Sequence, residues 1–336
     1  MTNQDMSSIV VSSRIRLARC LDKYVFPSRL TSEQGFALTK KIVDPLLKLD
    51  GYKVYAMNTL PKVDAMVMHE KHLISRELVE NHDFSAVVLS PDETISIMVN
   101  EEDHIREQCI LKGLSLMQAY KQLSQIDELL LSSLDMAYDS SLGFLNSCVT
   151  NVGTGIRASV MMFLPALSLS NSISQVINSL ASQGIEVRGV YGEGTNAEGY
   201  MYQISNKKSL GKTELDIINE VTGYVTRVAQ AELKAREEML AVQKDDVIDI
   251  VMRAYGVLTC AHKITSSEFM LRAGEVKMGI AFNMLRFKDN LIIDKLIDSC
   301  MPYSLTKIAG VELDEIERDK LRAMQCRNTL KNQRVK

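Results

Sequence analysis

The sequence lacks several features that would assign a class at once. It has no CxxC pair: its six cysteines (Cys20, Cys109, Cys148, Cys260, Cys300 and Cys326) are scattered, which excludes a zinc-ribbon or redox-dithiol reading and fits a reducing cytoplasm. It has no basic surplus. A formal net charge of -3 argues against direct nucleic-acid binding, so any basic site must be local. No apolar run reaches the ~20 residues of a membrane helix, the most apolar one, at 158–169, being interrupted by Pro165. The opening MTNQDMSSIVV has neither the basic lead nor the apolar stretch of a signal peptide, so a cytoplasmic location is expected. There are no low-complexity tracts and no internal repeat.

Familiar nucleotide and metal motifs are also missing. Gly211-Lys212-Thr213 resembles the end of a P-loop, but the required upstream glycine is Asn206, so a helix start is expected there. Two GxGxxA segments, at 153–158 and 192–197, lack the long apolar helix and distant acid of a dinucleotide fold and read as sharp turns. His69 and His72 are one residue short of the HExxH spacing, and no metal site is expected from protein ligands. The Gly-rich loop, HRD and DFG of eukaryotic-type protein kinases are absent.

What is present is a chain of 336 residues, 46% hydrophobic, long enough for two domains. Short apolar or alternating runs at 9–11, 52–57, 85–89, 94–99, 143–149, 157–163, 186–190 and 199–204 predict strands. Helical periodicity predicts helices at 31–49, 104–138, 171–183 and 213–243, with Ser32, Asn171 and Thr213 as caps. From about residue 240 the pattern is helical only, at 245–258, 266–282, 290–300 and 313–330. The expected class is α+β, with a mixed domain at 1–240 and a helical one at 241–336.

Four segments set arginine among small or turn-forming residues: SSRIR at 12–16, NEEDHIR at 100–106, NVGTGIR at 151–157 and RGVYGE at 188–193. Guanidinium groups offer planar, forked donors and a permanent charge, and nearby glycines let backbone N–H groups approach phosphate oxygens. One such segment alone reads as a solvated surface arginine. Together they can cradle a triphosphate. Similarly, Glu101-Glu102-Asp103 alone reads as a solvated acidic helix start.

In order and spacing these segments resemble the phosphagen kinases, the family of creatine and arginine kinases, over roughly residues 8–240. NEEDHIR, the NVGTGIR loop preceded by Cys148, and ISNKKSLGKTE at 204–214 carry the resemblance. It implies a curved antiparallel sheet flanked by helices, with ATP and Mg2+ as cofactors. The nucleotide contacts it implies are Ser12, Ser13, Arg14, Ile15 and Arg16; His72; Arg106; Arg157, Ala158, Ser159, Val160 and Met161; and Arg188, Gly189, Val190, Tyr191 and Gly192. It further implies Glu102 as the base that faces the acceptor guanidinium, Glu193 as a second acid clamping it, and Cys148 beside it. Val149 stands where the family has proline after that cysteine.

Two departures from the small-molecule enzymes stand out: the first motif begins at Ser12, without a preceding helical domain, and the chain runs about a hundred residues past the family's usual end. In both, the whole chain resembles the bacterial protein-arginine kinases of the McsB type. Arg318-Asp319-Lys320-Leu321-Arg322-Ala323 matches their RDxxRA motif, implying an allosteric phosphoarginine site in which Arg318 and Arg322 share a helix face and Asp319 pairs with the ligand guanidinium. On spacing alone, the same residues read as a solvated charged helix. The resemblance also implies protein substrates bearing arginine, a homodimer through the helical domain, a zinc-binding activator protein, and marking of substrates for a Clp ATPase/protease under stress. Two alternatives stay open: a kinase of free arginine or another small guanidino compound, and an inactive adaptor that reads phosphoarginine.

Overall fold

The computed structural model describes residues 6–80, 83–189, 197–331 and 333–335. Its strands are β1 (Val10–Arg19), β2 (Lys53–Ala56), β3 (Ala86–Leu89), β4 (Ile95–Val99), β5 (Ile105–Lys112), the short β6 (Tyr138–Asp139) and β7 (Gly143–Phe144), β8 (Ile156–Phe163), β9 (Ile185–Gly189) and β10 (Met201–Asn206). The helices up to residue 242 are α1 (Ser32–Leu46), α2 (Lys62–Glu70), α3 (Arg76–Glu80), α4 (Leu116–Ser133), α5 (Pro165–Leu169), α6 (Ile173–Ser182) and α7 (Glu214–Val242). Then follow α8 (Lys244–Cys260), α9 (Ser266–Ala281), α10 (Ile292–Cys300), α11 (Pro302–Ala309) and α12 (Glu315–Leu330).

Eight strands form one antiparallel sheet in the order β2-β3-β4-β5-β1-β8-β10-β9, so β1 lies in the middle, paired with β5 and β8. Strand alternation then divides the side chains between two faces. Ile15, Leu17, Ala158, Val160 and Ile204 point to one face, packing with Leu38 and Ile42 of α1, Leu123 and Leu130 of α4, and Val221 and Val225 of α7. The other face carries Arg14, Arg16, Arg106 and Arg157 near its centre. Its outer end is covered by a small cluster in which Val87, Leu89 and Met98 meet Ala65, Leu73, Ile74 and Leu78 of the α2–α3 segment.

The C-terminal helices pack around a second core to which the sheet contributes: Phe163, Ala166, Met201 and Met239 lie in it with Val251, Phe269, Met270 and Leu296. Contact is closest at Gly274 of α9, where a Cβ would lie 2.6 Å from the Gly199 Cα. Glu232, buried in α7, joins the layers by accepting Ala166 N–H (3.1 Å), Leu167 N–H (3.0 Å) and Arg236 Nε (2.9 Å).

Most expected elements are present, and the exceptions have physical causes. The helix expected at 104–138 starts only at Leu116, because 105–112 pair with β1 and β4 as β5; buried Glu107 interrupts the apolar alternation that would mark this strand in the sequence. Only Gly143–Phe144 of the strand expected at 143–149 is extended. Thr31, not Ser32, caps α1, forming a capping box with Gln34. Ser172, not Asn171, precedes α6, and Asn171 takes a left-handed φ of 56°. Thr213 caps α7 through a box with Asp216, as expected.

Candidate active site

The pairing of Val99 with Ile105 leaves residues 100–104 as the loop between β4 and β5. Its flanks are pinned. Asn100, at φ 55°, donates from its amide to Thr39 Oγ1 (2.9 Å), and its carbonyl accepts from Ser85 Oγ (2.7 Å). His104 Nδ1 accepts Leu21 N–H (3.0 Å), so the ring proton sits on Nε2 and is donated to the Val25 carbonyl (2.9 Å). Asp103, 0% exposed, accepts from Ser147 N–H (2.7 Å), Asn151 Nδ2 (3.3 Å) and Cys20 Sγ (3.3 Å). Ser147 Oγ in turn donates to the Glu102 carbonyl (2.9 Å), fastening the Glu102 loop to the segment that carries Cys148.

Glu102 remains partly open, with Oε2 held by Arg106 Nη2 at 2.9 Å. Burial pushes its carboxyl above the usual range, Arg106 opposing and Asp103, Glu101 and Glu77 adding to the rise. Cys148 is half-buried, its Sγ 3.0 Å from Thr150 Oγ1 at the start of a short 3-10 turn, Val149–Asn151.

The cations form a row set by strand register: Arg16 lies opposite Gln108 on β5 and Arg157 on β8, and Arg14 lies opposite Ser159. Their counter-charges are unevenly shared. Arg106 is held by Glu101 and Glu102, while Arg157 and Arg188 share Glu186, the latter at 2.7 Å. Burial opposes ionisation of Glu186, but Arg188 and Arg157 outweigh it and hold the carboxyl below its usual range. Among the described residues Arg14 and Arg16 form no ion pair, and Arg16 Nε is buried without a partner. Burial, then the Arg157 and Arg106 charges, pull Arg14 down to about 10. Arg16 is lowered well below its usual value by burial and then by Arg14, Arg106 and Arg157, with Glu101 opposing. Guanidinium groups stay protonated in proteins, so these shifts register burial and the repulsion of neighbouring cations.

An open cavity of about 1080 Å³ lies over this row, lined by Arg14, Arg16, Arg106, Arg157 and Arg188 together with His72, Glu101, Glu102 and Gln108. An adjoining space of about 170 Å³ is bounded by Glu102, Arg106, Arg157, Cys148 and Thr150. His72 sits on the turn after α2 at φ 60°, its carbonyl accepting Gln108 Nε2 at 2.7 Å. Burial, then Arg14 and His69, lower the ring to about 4, so it is neutral at pH 7.

The structure therefore brings together Arg14, Arg16, His72, Glu102, Arg106, Cys148, Arg157 and Arg188. It does not bring in every expected residue. Ser13, Ile15, Ala158 and Val160 turn to the opposite face, since strand alternation cannot aim consecutive side chains at one ligand. Ser13 Oγ instead donates to the Gly113 carbonyl (2.7 Å) and accepts Ser115 N–H (2.8 Å), closing the turn into α4. Ser12, Ser159, Met161 and Gly189 do not line the cavity, although Ser159 Oγ accepts from Arg14 Nε at 3.4 Å. Val190, Tyr191, Gly192 and Glu193 lie outside the described residues.

On α12 the side chains of Arg318 and Arg322 are held by the protein's own acceptors. Arg322 is 1% exposed and turned inward, donating to the carbonyls of Cys300 (3.0 Å) and Ile264 (2.8 Å) and pairing with Asp319 (2.6 Å). Arg318 donates to the Leu313 carbonyl at 3.0 Å. Arg322 is a brace, because burial of its charge demands those acceptors.

Glu101, Gln108 and Glu186 were not anticipated. The signal for the last two is the two-residue spacing that puts Gln108 on the Arg106 face and Glu186 on the Arg188 face.

Residues 37–235 match the ATP:guanido phosphotransferase, C-terminal catalytic domain, and residues 244–336 match the Protein-arginine kinase McsB C-terminal domain. In solved structures the chain resembles lombricine kinase (TM-score 0.60, 23% identity, 68% of this chain and 67% of that one). It also resembles the duplicated taurocyamine kinase from Schistosoma mansoni with bound transition state analog components (TM-score 0.64, 24% identity, 93% of this chain and 48% of that one). Fold and cation-lined cavity thus define an ATP:guanido phosphotransferase. The Protein-arginine kinase of Caldanaerobacter subterraneus subsp. tengcongensis is 42% identical over 324 residues, covering 94% of this chain and 95% of that one. That of Halothermothrix orenii is 40% identical over 317 residues, covering 94% and 91%. The chain belongs to the protein-arginine kinase family.

Proposed function

We propose that this enzyme transfers the γ-phosphoryl group of MgATP to the guanidinium of arginine residues within other proteins. The observation that carries this reading is one cavity lined by a largely half-buried cation row short of counter-charge and, at its edge, a carboxyl whose affinity for a proton is raised. The row receives the phosphates: Arg14 and Arg16 lack ion-pair partners among the described residues, and Arg106, Arg157 and Arg188 can exchange carboxylates for phosphoryl oxygens. His72, being neutral, offers the nucleotide a packing surface without a further charge.

A protonated guanidinium is no nucleophile. As its nitrogen bonds to the γ-phosphorus and the bond to the β-γ bridging oxygen breaks, releasing ADP, a proton passes from that nitrogen to Glu102. Cys148 orients the acceptor beside Glu102, and Glu193 supplies the second acid. Mg2+ arriving with the nucleotide would be held largely by phosphates and water and would neutralise phosphate charge there.

The names of the relatives and the match over 244–336 support a protein acceptor over free arginine. The same resemblance supports the remaining parts of the proposal: a mixed domain at 1–240, and a helical domain at 241–336 serving dimerisation and phosphoarginine sensing through Arg318, Asp319 and Arg322. It likewise supports a zinc-binding activator protein, delivery of marked proteins to a Clp protease in the stress response, and action in the cytoplasm. No helix among the described residues is long and apolar enough to cross a membrane.

The test is incubation with ATP and either free arginine or a denatured model protein, followed by detection of acid-labile phosphate. Labelling of the protein is expected. Labelling of free arginine alone rejects the proposal, and activity surviving Glu102→Ala removes Glu102 from its role.

A further inference from the structure

Helices α2 and α11 are joined by one carboxylate close to the nucleotide cavity. Glu70 ends α2, and its side chain reaches across to the first turn of α11. There it accepts Tyr303 N–H (2.7 Å), Ser304 N–H (2.8 Å) and Ser304 Oγ (2.8 Å). Those N–H groups belong to a helix start and have no partner within the helix, so a carboxylate satisfies both their hydrogen bonds and the helix dipole. Glu70 is thus the acceptor that anchors α11 to α2.

The residues just after Glu70 form a wall of the cavity. His72 N–H bonds to the His69 carbonyl (2.9 Å), and the left-handed φ of 60° at His72 turns the chain back so that its ring faces the cavity. A non-glycine residue holds that conformation only where its surroundings impose it. The helix end supplies part of this itself, through the His72 N–H bond to His69 and the Leu73 N–H bond to the Met68 carbonyl (2.9 Å); Gln108 Nε2 braces the His72 carbonyl from the sheet, and the Glu70 anchor holds the end of α2 from the C-terminal helices. Beyond α11 the chain of contacts continues, because Met301 alone separates it from Cys300, whose carbonyl is held by Arg322 of α12 at 3.0 Å. A second link between α11 and α2, Lys307 with Asp64 at 2.8 Å, is more exposed and therefore more screened.

We propose that Glu70 is a positioning residue for phosphoryl transfer: through its bonds to α11 it sets the His72 turn, so the placing of α11 and α12 governs nucleotide affinity. This rests on the reading of the cavity as the ATP site. A loose turn would weaken binding of ATP in ground and transition states alike, raising KM and leaving kcat.

The experiment compares KM for ATP and kcat, with a denatured protein acceptor at saturation, for the full-length wild type and Glu70→Ala, Glu70→Gln, His72→Ala, Glu70→Ala/His72→Ala, Lys307→Ala and Arg16→Ala. Glu70→Ala is expected to raise KM for ATP about tenfold with kcat within about twofold. Glu70→Gln, which keeps one oxygen acceptor, should restore part of the affinity, and Lys307→Ala should resemble wild type. In the His72→Ala background, Glu70→Ala should add less than about twofold, since neighbours acting through one another are not additive. Wild-type KM in Glu70→Ala, or full additivity with His72→Ala, overturns the role given to Glu70. An equal fall in kcat with KM unchanged also overturns it. If Arg16→Ala leaves KM for ATP unchanged, the nucleotide reading itself falls, and the inference with it.

Discussion

Glu102 and His72 face one cavity, and burial moves the two in opposite directions, because burial disfavours whichever form is charged. For Glu102 the proton is held more tightly than in an ordinary glutamate of pKa about 4.3, so the acid limb of kcat/KM should lie above that value. Glu102→Gln should lower kcat by roughly 10²–10⁴-fold. It should cost little stability at pH 7, because a carboxyl with a raised folded-state pKa contributes most in its protonated form. Steady-state kinetics across pH and a melting curve check both. For His72, lowered to about 4, the unfolded chain binds more protons than the fold between roughly pH 6.5 and 4. Its contribution is therefore present above pH 6.5 and lost as the pH falls toward 4. Urea unfolding at pH 7 and pH 4.5 should show this loss, about 1–2 kcal/mol after allowing for the part of the ring that meets solvent, reduced in His72→Asn.

At the scale of elements, the loop entering β8 shows why backbone form matters to the cation row. Gly155 has φ +66°, and a Cβ there would lie 2.5 Å from the Ala18 carbonyl oxygen on β1. Buried Arg19 is ion-paired to Asp127 at 2.8 Å and also donates to the Thr154 carbonyl at 3.0 Å, fixing the loop from beneath. Gly155→Ala should destabilise the protein by about 1–3 kcal/mol, and it should reduce activity further by displacing Arg157. Thermal melts and assays at a temperature where the variant remains folded separate the two effects. The glycines of this loop, the arginine segments and NEEDHIR were legible because turn residues and cations recur together, but the strand expected at 9–11 runs on to Arg19 and carries Arg14 and Arg16 in its middle. The polar interior was not legible. Glu107 at the start of β5 and Arg322 in α12 look solvent-facing by letter, and only the pairing of β5 with β1 and β4 and the buried bonds of Arg322 reveal a strand and a brace. Likewise, the letters of SSRIR do not show that strand alternation sends the Ser13 and Ile15 side chains into packing.

Across the whole molecule, Phe163, Ala166 and Met201 belong to the same apolar cluster as α8–α12. The regions before and after residue 240 therefore share buried surface, and Gly274 against Gly199 leaves no room for an added methyl group between them. Coincident loss of sheet and C-terminal helix structure in urea is expected, seen by far-UV signal and by a probe placed on α12, and two separated transitions would contradict it.

The uncompensated charge at Arg14 and Arg16 has a thermodynamic corollary. Arg14, Arg16, Arg106 and Arg157 repel one another across the row, and phosphate oxygens bound there would offset that repulsion. Saturating nucleotide at 100 times its Kd should add about 2.7 kcal/mol to the resistance of the chain to unfolding. Inorganic triphosphate, which has no base or sugar, should reproduce part of that gain, so the melting temperature itself becomes a gauge of occupancy.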